Sequence, residues 1–192
     1  MLKRLLLILL LPLSLQVWGQ QDDAGQAVTP ELRAALMDAV GSADSFADRF
    51  EAEVWLLDMS GRLQRRMDDE QERLEFLRLV HQEATRANLP PELVLAVIQV
   101  ESNFDRFAVS RVGAQGFMQI MPFWVREIGR PEDNLIRTRT NLRYGCTILR
   151  HYMDIEHGNW IRALARYNGS LGRTVYPNKV LDAMQRTWFN HD

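Results

Sequence analysis

The stretch Asn88-Leu89-Pro90-Pro91-Glu92-Leu93-Val94-Leu95-Ala96-Val97-Ile98-Gln99-Val100-Glu101-Ser102-Asn103 decides how the chain is read. Pro90 and Pro91 mark a helix start, because a proline in the first turn removes only an N–H that has no intrahelical partner. The run from Leu93 to Val100 is apolar almost all round. A buried helix and a buried strand both fit it; the prolines and Ala96 favour the helix, and periodicity alone does not separate the two. As a helix it would be central and covered on every side. Glu101-Ser102-Asn103 ends the run.

Glu101 is the most informative residue of the stretch. A carboxylate following eight mainly apolar residues is drawn toward low dielectric, and desolvation raises a carboxyl pKa by disfavouring the charged form. A carboxyl that keeps its proton near neutral pH is suited to general acid catalysis. From the local pattern alone, the plainer reading is favoured, in which Glu101 is the first solvated residue beyond a buried helix. Its neighbourhood changes the balance. Ser102 follows directly, Ser110 and Gln119 come shortly after, and Gly113 and Gly116 punctuate a loop or small hairpin where backbone can approach a ligand closely. Ser and Gln carry donors and acceptors suited to sugar hydroxyls and acetamido groups, although turn and capping roles explain each one singly.

Helical period dominates the rest. Thr138 or Thr140 can cap a helix over 141–156 stopped by Gly158; Asn159 can cap a helix over 160–168 stopped by Gly169; Pro177 can start a last one reaching Trp188. Upstream, Pro30 can open a helix to Val40, and Asp44 can cap a second carrying Phe46, Phe50, Val54 and Leu57, with Ser60-Gly61 ending or kinking it. Asp68-Asp69-Glu70 opens a third, with acids where the helix dipole favours them, and Leu74, Leu77, Val80 and Ala84 form its apolar stripe. No long alternating strand occurs, so the fold class is mostly α.

The chain has 192 residues, 46% hydrophobic and 25% charged, which is ordinary for one globular domain with an extension. One cysteine, Cys146, excludes an internal disulfide and a Cys-based zinc cluster; it sits among apolar residues and is expected to be buried. A formal net charge of -2 argues against a dedicated nucleic-acid binder. Residues 1–19 read as a secretory signal peptide: Lys3 and Arg4, an apolar run, then Gly19 at the preferred cleavage point with Gln20 as the fallback. That run is too short for a stable membrane span of about 20 residues, and no cysteine follows it for lipidation. The remaining charge is uneven. Residues 20–87 hold 8 basic and 15 acidic side chains, net -7; residues 88–192 hold 13 and 10, net +3, a mild bias toward an anionic polymer. Residues 20–29 read as a disordered arm.

Glu101-Ser102-Asn103-Phe104, Ala108-Val109-Ser110, the block from Gly113 through Gln119 to Pro122, Asn141-Leu142-Arg143-Tyr144-Gly145 and Tyr167-Asn168-Gly169 occur in this order. Together they resemble the motifs of the soluble-type (family 1) lytic transglycosylases of bacterial cell walls, over about residues 89–181. The resemblance implies a lysozyme-like α domain over 88–192, preceded by an N-terminal helical extension over 20–87. It implies cleavage of the MurNAc–GlcNAc β-1,4 bond of peptidoglycan in the periplasm. Glu101 then matches the single catalytic acid/base, Ser110 the serine at the acetamido region, Gln119 and Met121 the groove-lining residues, Tyr167 and Asn168 the Tyr-Asn block, and Tyr176 a later groove tyrosine. Two departures stand out: Phe117 replaces the usual leucine, and Arg166 and a shifted glycine flank Tyr167, which can alter the groove. Residues 20–87 match no quoted motif; their helices can dock on the domain or on a cell-envelope partner protein.

Two-carboxylate glycosidases need a second acid about 5–9.5 Å from the first. Asp105 is nearest in sequence, and a turn or cap role suits it better. Without that acid the substrate must supply the nucleophile. The resemblance implies that the 2-acetamido group does so and that the product carries a 1,6-anhydro ring, with no metal or cofactor required. A hydrolytic muramidase of goose-lysozyme type and a non-catalytic peptidoglycan-binding or scaffold module are the alternatives. His81, His151, His157 and His191 lack metal-ligand spacing with acids and read as surface or capping residues. No Gly-x-Ser-x-Gly elbow supports a triad with His151 and Ser170. Trp124 and Trp160 can stack on sugars, although helical aromatics are more often core. Arg137, Arg139 and Arg143 face either an anionic glycan or solvent.

Overall fold

Helix α3, Pro91–Ser102, lies at the centre of the molecule and resolves the ambiguity of the apolar run in favour of a helix. Leu93, Val94, Leu95, Ala96, Val97 and Ile98 are all fully buried. Asn103 closes the helix in the left-handed conformation, φ 48°, its N–H bonded to Gln99 O. The computed structural model describes residues 44–189. Around α3 stand α1 (Arg49–Leu63), α2 (Glu70–Arg86), α4 (Phe123–Ile128), α5 (Thr138–Ile155), α6 (Trp160–Tyr167) and α7 (Val175–Ala183), which continues as a π-helical turn, Met184–Trp188. Among the described residues β structure is limited to two isolated antiparallel bridges, Val109 with Gln115 and Gln115 with Ile120. The mostly α class is therefore observed. The signal-like residues 1–19, the arm 20–29 and the helix expected from Pro30 to Val40 lie outside the described residues.

Helix α3 packs on α2, α7 and the π turn; α5 packs on α2 and α6. One apolar cluster joins Leu56 and Leu63 of α1, Leu74 and Leu77 of α2, the α3 run, Leu142 and Leu149 of α5, Leu164 of α6, Val180 of α7 and Trp188. Each such side chain contributes about 1.5–3 kcal/mol on burial. The cluster runs without a gap across Ala87 and Leu89, so α1 and α2 share the core of the helices that follow. Among the described residues no helix is long and apolar enough to cross a membrane.

Several helix ends differ from the sequence expectation. Asp48, not Asp44, caps α1, accepting the Glu51 N–H at 2.8 Å, while the Glu51 carboxylate takes the Ala47 N–H at 3.0 Å. Helix α1 also runs through Ser60-Gly61 to Leu63. Burial of Met59 and Leu63 on one stripe outweighs a glycine penalty of about 1 kcal/mol. Neither Thr138 nor Thr140 caps α5, which starts one turn earlier than expected, after Arg137. Helix α4 was not anticipated, and α7 begins two residues before Pro177. Asn159 caps α6 as expected, and Asp69, within the acidic run expected to open α2, caps that helix.

Candidate active site

The segment between α3 and α4 carries three of the seven candidate residues, Ser110, Gln119 and Met121, and three anchors hold it. The first is Ser102, at the end of α3, whose hydroxyl reaches Phe117 O at 2.8 Å. The second is Asn141 on α5, which is buried and fully used: its Oδ1 accepts the Met118 N–H, and its Nδ2 donates to Gln115 O and Leu135 O, all at 2.8 Å. The third is Tyr167 on α6, whose hydroxyl donates to Met118 O at 2.8 Å. The Met118 backbone is thus gripped at its N–H and its C=O from two different helices. Gly116 makes this possible. Its φ is +74°, and a Cβ there would lie 2.8 Å from Leu135 O and press on the Asn141 amide. On α5, Gly145 leaves room for the Met118 thioether.

Behind this segment lies a cavity of about 260 Å³. Glu101, Ser110, Gln119, Met121, Tyr167 and Asn168 all line it, so six of the sequence-derived candidates meet there although they span 68 positions, from 101 to 168. Tyr176 is not on the lining; it reaches the same carboxyl from α7, donating its hydroxyl proton to Glu101 Oε1 at 2.6 Å. Trp124 also lines the cavity, whereas Trp160 packs against the core. Val112, Ala114, Ile120 and Ile148 complete the wall; Ala114 and Ile120 belong to the Gly113-to-Pro122 block, whereas the sequence did not flag Val112 and Ile148 as site residues. Ile148 lies in the apolar stripe of α5, and Val112 is an exposed aliphatic residue in a loop, so neither pattern carries a functional signal.

Ser110 and Gln119 also perform the local chemistry expected of turn residues. Ser110 Oγ accepts the Ala114 N–H at 3.0 Å and keeps its own proton for donation. Gln119, at φ +50°, ties the loop through Nε2 to Ala108 O at 3.1 Å and Gly116 O at 3.0 Å.

Burial pushes the Glu101 carboxyl up to about 7, against the opposing pull of the Tyr176 hydrogen bond, which favours the ionised form. Burial also drives the Tyr176 and Tyr167 hydroxyls well above their ordinary value, with the Glu101 charge adding to it. Both phenols therefore remain donors. Among the described residues lining the cavity, Glu101 is the only acid. Asp105 serves a turn, its Oδ1 accepting the Phe107 N–H at 2.8 Å.

Other side chains are committed elsewhere. Arg166 does not reach the cavity; it pairs with Glu156, as does Arg162, and the expectation that it reshapes the groove is corrected by this ion pair. Arg143 pairs with buried Glu83 at 2.9 Å, and Arg139 donates to Gln82. His81 is half-buried rather than a surface residue, stacked on Phe46 at 3.5 Å between ring centroids and bonded to Ser45 Oγ at 2.8 Å. Burial lowers its pKa to about 4. His191 lies outside the described residues. Among the described residues no group of three or more His, Cys, Asp or Glu side chains is placed to hold a metal ion. Cys146 is fully buried, and burial pushes its thiol far up.

The site is thus one desolvated acid, presented by the central buried helix of a mostly helical domain to a loop-walled cavity. Residues 78–181 match the Transglycosylase SLT domain family, and the chain belongs to that family. It is 30% identical over 115 residues to the transglycosylase of Enterobacteria phage PRD1, covering 56% of this chain and 42% of that protein. It is 33% identical over 94 residues to membrane-bound lytic murein transglycosylase D of Escherichia coli strain K12, covering 47% of this chain and 21% of that protein. The chain therefore spans less than half the length of these relatives. Among solved structures, an inactive mutant of the lytic transglycosylase Slt of Pseudomonas aeruginosa aligns at 27% identity and a TM-score of 0.44, over 55% of this chain and 20% of that one. The 70 kDa soluble lytic transglycosylase of Escherichia coli aligns at 19% identity and a TM-score of 0.46, over 81% and 29%.

Proposed function

We propose that the chain is a lytic transglycosylase of bacterial peptidoglycan, with Glu101 as its sole acid/base. The observation that carries the reading is Glu101 itself, the single acid among the described residues lining the cavity, with a pKa near 7 and a phenol donor at its back. Near neutral pH such a carboxyl is present in both protonation states. One group can then act as acid and afterwards as base.

The steps follow from that. Protonated Glu101 gives its proton to the glycosidic oxygen as the bond to C1 breaks, and the substrate's 2-acetamido oxygen closes on C1 in place of a protein nucleophile. The Glu101 carboxylate next takes the proton of the C6 hydroxyl. O6 attacks C1, the acetamido oxygen leaves, and a 1,6-anhydro ring forms with Glu101 again protonated. No water is consumed. Ser110, Gln119, Met121, Tyr167 and Asn168 contact the sugar, and Tyr176 holds the carboxyl in place.

Residues 88–192 carry these groups. Helices α1 and α2 of the preceding 20–87 extension brace α3 and α5 through the shared core, and their outer faces are available to a cell-envelope partner. The basic, apolar residues 1–19 and the names of the murein-cleaving relatives support export to the periplasm. Digestion of purified sacculi by the full chain, analysed by mass spectrometry, tests the reading. The expected products are 1,6-anhydromuropeptides. Reducing ends instead would establish hydrolysis, and glycan binding without cleavage would establish a binding module.

A further inference from the structure

A second cavity, of about 490 Å³, is larger than the one at Glu101 and has a different chemistry. Arg86, Arg130, Arg139 and Arg143 line it, with Asp133 and Tyr144. Helices α4 and α5 contribute to both cavities: Trp124 and Ile148 line the first, while Ile128 and Thr147 line the second. On α4 the lining residues Trp124 and Ile128 are one helical turn apart, about 6 Å along the axis.

The charges of this second cavity are not balanced. Glu83 is buried behind it, with no exposed side-chain surface, and pairs with Arg86 at 2.6 Å and Arg143 at 2.9 Å. Burial alone would raise the Glu83 carboxyl, but the hydrogen bonds from Arg143 and Arg86 outweigh it and hold the group below its usual range. One carboxylate thus faces two guanidiniums. Asp133 accepts the Tyr144 hydroxyl at 2.6 Å and the Arg130 N–H at 3.0 Å. Four arginines therefore meet Glu83 and Asp133, with Glu132 near enough to act on Tyr144, which leaves a net positive charge around a concave site. Glu83 also fixes two of the guanidiniums before any ligand arrives, which lowers the entropic cost of binding an anion. Guanidinium forks match planar carboxylates in two-point contacts. Ile128, Gly129 and Tyr144 give the same cavity an apolar wall, and Asp133 would repel a bare polyanion. That mixture suits a peptide better than a phosphate backbone or a lipid headgroup.

We propose that this arginine cavity binds the carboxylates of a short acidic peptide, namely the stem peptide attached to the glycan strand held at Glu101. This rests on the transglycosylase reading, because the glycan is what brings a carboxylate-bearing peptide alongside.

Two measurements test it with the full chain. The first is titration with a free stem tetrapeptide containing D-glutamate, followed by NMR, against inorganic phosphate at matched ionic strength. Shifts at Tyr144 and Thr147 are expected with the peptide and not with phosphate. The affinity should fall at least five-fold in R130Q/R139Q and further in R139E. Arg130 and Arg139 are the positions to change because both are exposed, whereas losing Arg86 or Arg143 would strand buried Glu83. No peptide binding, equal response to phosphate, or unaltered affinity in a variant that melts like wild type would overturn the proposal. The second is the rate on intact sacculi relative to amidase-stripped glycan, a ratio expected to fall at least five-fold in R130Q/R139Q. An unchanged ratio counts against the cavity. Should wild type cleave neither substrate, the transglycosylase reading fails, while the peptide titration still decides the cavity.

Discussion

Tyr176 donates a 2.6 Å hydrogen bond to Glu101 Oε1 from a helix 75 positions further along the chain. The bond acts on the proton of Glu101 in the direction opposite to burial. Burial disfavours the carboxylate, whereas a phenol donor stabilises it. Removing the phenol leaves burial unopposed, so Tyr176→Phe raises the Glu101 pKa above about 7. The alkaline limb of the cleavage profile, where the acid loses its proton, then moves to higher pH. A kcat/KM profile of the variant on sacculi checks the shift. A limb that stays in place or moves to lower pH would mean that the hydrogen bond does not govern the ionisation.

The same carboxyl links pH to stability. Its folded pKa, about 7, lies above the ordinary value of 4.5, so the native state binds the proton more tightly than the unfolded chain. The stabilisation this brings is fully present below pH 4.5 and is lost as pH rises through 7. Above pH 7 wild type carries a desolvated carboxylate that Glu101→Gln lacks. The variant is expected to lose cleavage by about 10²–10⁴-fold, the usual worth of a general acid–base group. Its melting temperature should exceed that of wild type at pH 8, with little difference at pH 4. Calorimetry at the two pH values decides it; equal gains at both would trace the effect to packing instead of charge.

Much of this site was legible in the sequence, for physical reasons that vary by residue. The buried helix before Glu101 was signalled by an apolar run with two prolines at its start, although only its packing against α2, α7 and the π turn separates helix from strand. Asn159 was readable as a cap, and Asp68-Asp69-Glu70 as an acidic helix start, because both signals are local. Asp44 was misplaced by one turn, since the Asp48–Glu51 exchange depends on which residues can satisfy one another once Ala52 and Leu56 are buried. The partnership of Tyr176 with Glu101, the three bonds of Asn141 and the commitment of Arg166 to Glu156 are long-range or rotamer-dependent, and no periodicity encodes them. The arginine cavity drew only a faint trace, a net charge of +3 over residues 88–192. Arg86, one of its four cations, lies outside that segment.

Asn141 carries the loop that forms the cavity wall, so its loss should affect architecture before chemistry. It is 1% exposed and makes three hydrogen bonds of 2.8 Å, to Met118 N, Gln115 O and Leu135 O. Asn141→Ala leaves the buried Met118 N–H and Leu135 O without this partner, while Gln115 O keeps the Ile120 N–H, at a cost of about 2–4 kcal/mol. Asn141→Asp keeps the acceptor for Met118 but turns a carboxylate oxygen toward two carbonyls, and is expected to be no better. Denaturant midpoints measure the stability loss. Hydrogen exchange should place the new mobility at 115–119, with Glu101 and α3 still protected. Protection lost evenly across the chain would show that Asn141 supports the whole core and not this loop.

Arg166 separates a stability role from a catalytic one. It stands next to Tyr167 in sequence, yet its guanidinium pairs with Glu156, itself 8% exposed and shared with Arg162. The hydrogen bonds from Arg162 and Arg166 hold the Glu156 carboxyl below its usual range. A depressed folded pKa stabilises the protein above the unfolded value and loses that contribution as pH falls through the folded one. Arg166→Ala removes one of the two donors. Its melting temperature should therefore drop at pH 7, and the gap to wild type should narrow in acid as Glu156 takes up a proton. Cleavage of glycan strands at temperatures well below the melting point should keep the kcat/KM of wild type, because the side chain never enters the Glu101 cavity. A selective fall in kcat/KM with an unchanged melting temperature would place Arg166 at the substrate after all, and would require that the Glu156 pair open when the glycan binds.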